Sequence, residues 1–481
     1  MIKIYSSLTR KKEYFVPLSE GELKMYACGI TPYDEIHIGH ARQAVVYDVI
    51  RAYFEYLGYK IIYVRNWTDV DDKIIKRANK EGIESMDVSE HYIKENLGDL
   101  EKLKVKHATY EPKVTDCITD IIEYIQVLIN KGFAYVIKGE VFFDIDKFTE
   151  YGKLSNRKRE DLINSEESIN KKNNNDFVLW KPRKPDEPYW DSPWSKGRPG
   201  WHIECSVMAH KYLGDEIDIH GGGLDLIFPH HENELAQSEA YSGKTFAKYW
   251  VHNGLVMING TKMSKSLGNF LTVKDALKKY FPEEIRYVIL THNYSSDIDF
   301  SDDLFLNARK RLYYFYTTLL RMEEFANGAD DKVDSDKVPI IITNFEGKFN
   351  ELMDDNFNTP RVISEITEIF KELNKVIDSN KYSTEEKSDI FKFFFQIFNK
   401  ISSVLRLFED SPNEYLSKLK EKILTERNLT EDFISLKLEE RQSAKKVKDY
   451  KKADSIKEEL KLKGVSIQDS SDSVKWEIIF Q

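Results

Sequence analysis

Apolar residues along the first part of the chain come in two spacings. Short runs at Tyr26–Cys28, Ile61–Val64, Glu216–His220 and Tyr249–Ile258 have the length of buried strands. Between them lie stretches of helical periodicity, the clearest being Ala41 to Leu57, where Val45, Val46, Val49, Ile50, Tyr53 and Leu57 fall on one side and Gly58 supplies the stop. An N-terminal strand pair is expected at Ile2–Ser6 and Tyr14–Pro17. Strand, helix, strand in this order predicts a βαβ unit and an α/β fold built on a doubly wound parallel sheet.

The alternation is then interrupted. Helices over about Asp71–Lys131 lead into strand-like runs at Phe133–Ile137 and Glu140–Ile145, which predicts an inserted subdomain. Lys153–Asn175, charged and Asn-rich, reads as a loop. Phe177–Trp201 holds five of the thirteen prolines and four of the seven tryptophans and reads as an ordered, irregular wall. A strand then enters Gly221, Gly222 and Gly223, Pro229 suits the first position of a helix ending at Gly243, and a further strand reaches the loop Lys262–Ser266. From about Asp302 the pattern is helix after helix, with extended segments only at Val465–Ile467 and Val474–Ile479. The expected divisions are a first catalytic half at 1–110, an insert at 111–200, a second half at 201–260, a loop and stem-contact region at 261–302, a helical bundle at 303–425 and a basic helix with a small extended segment at 426–481.

With 41% hydrophobic and 13% aromatic residues the chain is globular, and no apolar run reaches the length of a membrane span. The N-terminal stretch lacks the apolar segment of a secretory signal, so the cytoplasm is the expected compartment. Three cysteines make no disulfide framework and leave metal binding, catalysis or plain burial. The net charge of −10 argues against indiscriminate nucleic-acid binding, although Arg441–Lys463 carries nine basic residues against four acidic ones.

Chemistry concentrates first at Tyr26–His40, YACGITPYDEIHIGH. A helix starting after this loop offers unpartnered N–H groups to a phosphate, His37 and His40 are expected to face that anion, and Gly39 allows close approach to the backbone. His230 and Glu234, four apart on a predicted helix, share one face, and Cys28 and Cys205 are expected at the same crevice. Together they make a tetrahedral zinc donor set that four protein ligands would mark as structural; the bland alternative is two buried cysteines and a polar helix start. Cys117 reads as core. The lysines of KMSKS (Lys262, Met263, Ser264, Lys265, Ser266) and the histidine pair, one cluster in each half of the sheet, are placed to hold a triphosphate.

HIGH at His37–His40 and KMSKS at Lys262–Ser266 make the chain resemble the class I aminoacyl-tRNA synthetases. NWTDVDDKI, FVLWKPRKP, GRPGWHIECS, DIHGGGLDLIFPHHENELAQSEA and MDDNFNTP extend the resemblance to the cysteinyl-tRNA synthetase family, from residue 1 to about Trp476, with Ser195 standing where that family commonly has glycine. The resemblance implies a Rossmann-like catalytic domain with an insert, a helical anticodon-binding domain and a small C-terminal α/β segment. It implies one Zn2+ on Cys28, Cys205, His230 and Glu234 that meets the thiol of substrate L-cysteine, which replaces the structural reading of the metal. It further implies ATP with Mg2+ at His37, Gly39, His40 and the KMSKS residues, Thr68, Trp201 and Asp225 lining the amino-acid pocket, His220 near the adenylate, and tRNA(Cys) as partner to a monomer without membrane contact. Two other readings stand beside it: a cysteine ligase acting on an amino sugar, which should lack the long helical tail, and a non-catalytic RNA-binding relative, which should have lost HIGH or KMSKS residues.

Overall fold

A computed structural model of the chain describes residues 1–157, 170–258, 260–263, 268–325, 337–469 and 474–480. It divides into two compact units, the first comprising Met1–Ser301, Asn344–Thr367 and Ile397–Leu407, the second Asp302–Thr343, Glu368–Gln396 and Phe408–Gln481. The units thus do not follow linear divisions at 303 and 425, because two later segments return to the first. No helix among the described residues is long and apolar enough to cross a membrane.

The first unit opens with the hairpin β1 (Lys3–Ser6) and β2 (Lys11–Tyr14), so the second strand lies earlier than Tyr14–Pro17. Its centre is β3 (Glu22–Ile30), α1 (Ile38–Tyr56) and β4 (Lys60–Trp67). After α2 (Asp72–Glu81), α3 (Ser85–Lys102) and α4 (Ile118–Asn130) come β5 (Ala134–Ile137), β6 (Glu140–Phe143), β7 (Phe177–Pro182) and β8 (Gly197–Pro199). These last four form an antiparallel sheet in the order β5-β6-β7-β8. The stretch expected to be irregular therefore supplies two strands; its Pro182 and Pro199 sit at strand ends, where a missing N–H is tolerated. Ser195 is a strut of this insert, its hydroxyl donating to the Gly139 carbonyl at 2.8 Å.

Next come α5 (Trp201–Leu213), β9 (Ile217–Gly223), α6 (Glu232–Ser242) and β10 (Ala247–Asn253). The main sheet runs β10-β9-β3-β4 and is parallel throughout, as the strand–helix alternation implies. Pro229 does not start α6: residues Ile227–His231 form a separate turn that contains an extended Phe228 and a cis Phe228–Pro229 bond. The Glu232 carboxylate ties that turn to the insert, accepting from the Gly152 N–H at 2.9 Å and the Ser155 N–H at 2.7 Å. The predicted strand Tyr249–Ile258 is two strands, because the chain breaks after β10 at Gly254, and β11 (Val256–Ile258) joins β12 (Thr261–Lys262) and β13 (Ile298–Phe300) in another sheet. Helices α7 (Val273–Lys279) and α8 (Pro282–Leu290) lie between them in sequence.

The rest of the chain is helical: α9 (Asp302–Glu323), α10 (Ile340–Thr343), α11 (Phe345–Asp354), α12 (Thr359–Asp378), α13 (Thr384–Leu405), α14 (Pro412–Glu426), α15 (Glu431–Lys446) and α16 (Tyr450–Leu462). A hairpin of β14 (Val465–Asp469) and β15 (Val474–Ile478) follows. The basic stretch Arg441–Lys463 is two helices rather than one, turning at Lys448 with φ 61°. Arg441 is committed to a two-pronged pair with Asp469, at 2.7 and 2.8 Å, and Lys445 meets the same carboxylate at 2.9 Å.

One buried charge holds the first unit together across its discontinuous segments. Asp48 on α1, 1% exposed, pairs with Arg51 at 2.7 Å, Arg286 of α8 at 2.7 Å and Arg406 at 2.9 Å. Arg286 also donates to the carbonyls of Leu405 at 2.7 Å and Leu103 at 3.1 Å. Burial pushes the Asp48 carboxyl upward, but Arg286, Arg406 and Arg51 outweigh it and hold it below the usual carboxylate range. The stabilisation is therefore complete above the unfolded value near 3.9 and is lost as pH falls through the lower folded value. Asp48→Asn is expected to cost about 3–5 kcal/mol in urea unfolding at neutral pH, by leaving buried guanidinium groups unbalanced. The gap from wild type should narrow as pH drops below about 4.

Candidate functional site

The carboxyl ends of the parallel strands deliver the site. Cys28 lies near the end of β3, Cys205 on the second turn of α5, His230 in the turn before α6 and Glu234 on its first turn. Their donor atoms all lie within 4.8 Å of one another and all four residues are buried. The separations are 3.8 Å between the two sulfurs, 3.6 Å from Cys205 Sγ to His230 Nε2, 3.1 Å from Cys28 Sγ to Glu234 Oε1, and 2.9 Å from His230 Nε2 to Glu234 Oε1. A tetrahedral zinc with ligand bonds of about 2.0–2.3 Å separates its ligands by about 3.3–3.8 Å, so the donors need only small shifts.

Burial raises the Cys28 thiol well above its usual range, and Cys205 and Glu234 raise it further. For Cys205 burial also acts upward, but hydrogen bonds from Cys28 and His230 bring it to about 7. Two thiolates and a carboxylate cannot all ionise here without a cation, and a divalent ion supplies that charge.

Around the donors lies a shell that orients them. His230 and His202 meet Nδ1 to Nδ1 at 3.0 Å. Burial and the neighbouring His230 hold His202 well below its usual value, so it accepts and His230 donates, which turns His230 Nε2 towards the Cys205 and Glu234 donors as the nitrogen that would meet a metal. Glu234 Oε2 meets His220 Nε2 at 2.8 Å. His231 bridges Cys28 Sγ at 3.3 Å and His252 Nε2 at 2.8 Å. Asn66, at 1% exposed, accepts at Oδ1 from the Gly29 N–H at 2.9 Å and the Tyr26 hydroxyl at 3.0 Å. A Cβ on Gly29 would stand 1.5 Å from the Asn66 carbonyl oxygen, so only glycine lets β3 and β4 close up here.

Above the donors opens a cleft of about 360 Å³, lined among others by His37, Gly39, His40, Trp201, Asp225 and Met263. Trp201 stacks on His230 with ring centroids 4.1 Å apart, joining cleft wall to donor set. His37 and His40 both line the cleft, and His37 also makes a contact that the sequence did not show. His40 belongs to α1, and His37 is its N-cap, its Nδ1 accepting from the Gly39 N–H at 3.0 Å and the His40 N–H at 3.3 Å. The imidazole thus occupies N–H groups that an anion would otherwise find, and the two rings stack at 3.7 Å. His220 is displaced from its predicted role: it is fully buried, pairs with Glu234 and stacks on Trp250, rather than facing the cleft. Thr68 is 4% exposed and accepts from Asn66 Nδ2 at 3.3 Å. Lys262 is described only in its backbone, and Ser264, Lys265 and Ser266 lie outside the described residues. Cys117 is fully buried in the core, as expected.

Sequence reasoning missed the shell. His202, His231, His252 and Asn66 carry no spacing signal, although His202 and His231 stand beside predicted ligands. Gln43 was equally silent: one turn beyond His40, it donates to the Cys28 carbonyl at 2.6 Å.

Residues 14–310 match the family model described as tRNA synthetases class I (C) catalytic domain, and residues 348–409 match the DALR domain. The cysteine–tRNA ligase of Thermodesulfovibrio yellowstonii is 46% identical over 99% of this chain and 99% of its own length. That of Clostridioides difficile is 45% identical over 99% and 100%. Among solved structures, Mycobacterium tuberculosis methionyl-tRNA synthetase in complex with methionyl-adenylate matches with a TM-score of 0.61 over 84% of this chain and 94% of that one; at 13% identity this speaks for the fold alone. On a catalytic-domain match of that extent and such identity over nearly its whole length, the chain belongs to the cysteine–tRNA ligase family of class I aminoacyl-tRNA synthetases.

Proposed function

We propose that this protein is an ATP-dependent ligase that converts L-cysteine and ATP to cysteinyl-adenylate and pyrophosphate, then transfers cysteine to the 3′-terminal ribose of tRNA(Cys). The observation that carries it is the convergence of Cys28, Cys205, His230 and Glu234 next to a cleft that Trp201, stacked on His230, lines together with His37, Gly39 and His40. A zinc ion on those four residues supplies a thiophilic centre that prefers the substrate's thiolate to the hydroxyl of serine, a discrimination that packing alone gives poorly between near isosteres.

The chain's own residues do the rest. Trp201, stacked on His230, walls the amino-acid end of the cleft, and Asp225 faces the same space. Thr68 stands behind them on Asn66. His37 and His40 sit where the triphosphate enters, and a bound phosphate displaces the His37 cap from the α1 N–H groups. The cysteine carboxylate attacks the α-phosphate, so the enzyme's contribution is alignment and charge stabilisation, with Mg2+ on the phosphates and Lys262 and Lys265 receiving the departing pyrophosphate. In the second unit, the lysines of α15 and α16 and Trp476, which has Lys420 4.3 Å from its ring centroid, are suited to an RNA loop with splayed bases. We read the enzyme as a cytoplasmic monomer, in a compartment that keeps its free Cys28, Cys117 and Cys205 reduced.

Cysteine-dependent ATP–pyrophosphate exchange tests the whole: serine in place of cysteine should give almost none, and robust exchange with serine would refute the thiol-binding role. Metal analysis should find one zinc per chain, lost in Cys205→Ala combined with His230→Ala and retained in Cys117→Ser; a metal-replete double variant would sink the site. Lys265→Ala is expected to slow adenylation about 10²–10³-fold, the typical effect of removing a transition-state charge donor. A rate within a few fold of wild type would remove that lysine from the mechanism. Replacing Lys448, Lys451 and Lys452 together by alanine should leave exchange intact and weaken tRNA binding with a shallower salt dependence, read by filter binding at several salt concentrations.

A further inference from the structure

We propose that Asn253 is a nucleoside-contacting residue whose side-chain carbonyl accepts a hydrogen bond from an N–H or O–H donor on the adenosine part of ATP. The inference rests on the reading that the cleft takes ATP, and it names a contact that reading leaves open.

Asn253 is the last residue of β10, paired in register with Gly223 at the carboxyl edge of the parallel sheet. It lines the same cleft as His37, His40, Leu255 and Val256, and is 4% exposed. The backbone beyond it is fixed, because the buried Arg42 of α1 donates to the Leu255 carbonyl at 2.8 Å. Asn253 Nδ2 donates to the Gly254 carbonyl at 3.1 Å, which identifies Oδ1 as the other end of the amide. That oxygen is buried and, among the described residues, meets no donor. An unsatisfied buried acceptor costs more than a typical hydrogen bond contributes, and because Asn253 lines the cleft a donor on the bound substrate is the candidate to relieve it.

The chemistry of the donor narrows the choice. Ionised phosphates only accept, so the triphosphate does not satisfy Asn253. Cysteine with its sulfur at Cys28 does not reach either: β10 stands two strands from β3, about 10 Å at the spacing of a sheet, and the amino acid is too short to span it. Adenosine extends farther and carries both an exocyclic amine and ribose hydroxyls, and Leu255 and Val256 give the neighbouring wall the apolar character that a purine face prefers.

The experiment is cysteine-dependent pyrophosphate exchange by the full chain with ATP, purine riboside triphosphate, 2′-deoxy-ATP and 3′-deoxy-ATP, for wild type, Asn253→Ala and Asn253→Ser. Absence of exchange with ATP in the wild type would overturn the ligase reading itself rather than the contact. With exchange present, the wild type should lose about ten-fold or more in kcat/KM on the analogue lacking the matching donor, and so separate amine from hydroxyl. In Asn253→Ala that penalty should fall to within about two-fold of ATP, with zinc content and the KM for cysteine unchanged; Asn253→Ser, keeping a small acceptor, should lie between. The contact is overturned if the variants retain the wild-type ranking of analogues. Indifference of the wild type to every analogue overturns it too, and that result requires no variant to fold.

Discussion

Everything about the site follows from placing three potential anions, Cys28, Cys205 and Glu234, where water does not reach. In solvent each would ionise or stay neutral independently. Here the charges are mutually dependent: burial acts against a charged His230, but Glu234 and Cys205 outweigh it and raise that imidazole to about 10, so it balances the group until a cation takes over. The parallel sheet is what makes the arrangement possible, because its strand ends bring distant sequence segments to one edge while helices keep both faces dry.

Helix α1 carries that order outward. Its first turn borders the cleft through His37 and His40, its second turn reaches the Cys28 carbonyl through Gln43, and its third turn holds Asp48 against Arg286 and Arg406. Cleft wall, metal-donor strand and the returning C-terminal segments are therefore all referred to one rigid rod. A shift of that rod moves the groups it carries together, and their relative spacing is protected.

Much of this was legible in the sequence where a residue type has few uses. Cys28, Cys205, His230 and Glu234 form the expected group, and the strands and helices around them fall where periodicity puts them. Local irregularities were not legible. Pro229 suggested a helix start, yet Phe228 is extended and α6 begins three residues later, because the turn serves His230 rather than local propensity. The proline- and tryptophan-rich stretch concealed two strands, since the end of a strand tolerates a proline that its middle forbids. The partner of His220 and the capping contact of His37 were not legible for a common reason: a histidine's partner is chosen by tertiary geometry, and a sequence names the imidazole without naming what it touches. The return of residues 344–367 and 397–407 to the first unit has no local signature at all, because Asp48 and Arg406 are ordinary helix-compatible residues until they meet.

That long-range pairing has a consequence for biosynthesis. Asp48 is made early, Arg286 much later, and Arg406 only when most of the chain exists. On the ribosome the nascent first half thus carries an interior carboxylate balanced at first by Arg51 alone, without Arg286 and Arg406, which tie it to later segments. The first three hundred residues thus carry a complete parallel sheet but lack the distal segments that pack on them, so a chain broken off early would leave that face open to chaperones and proteases.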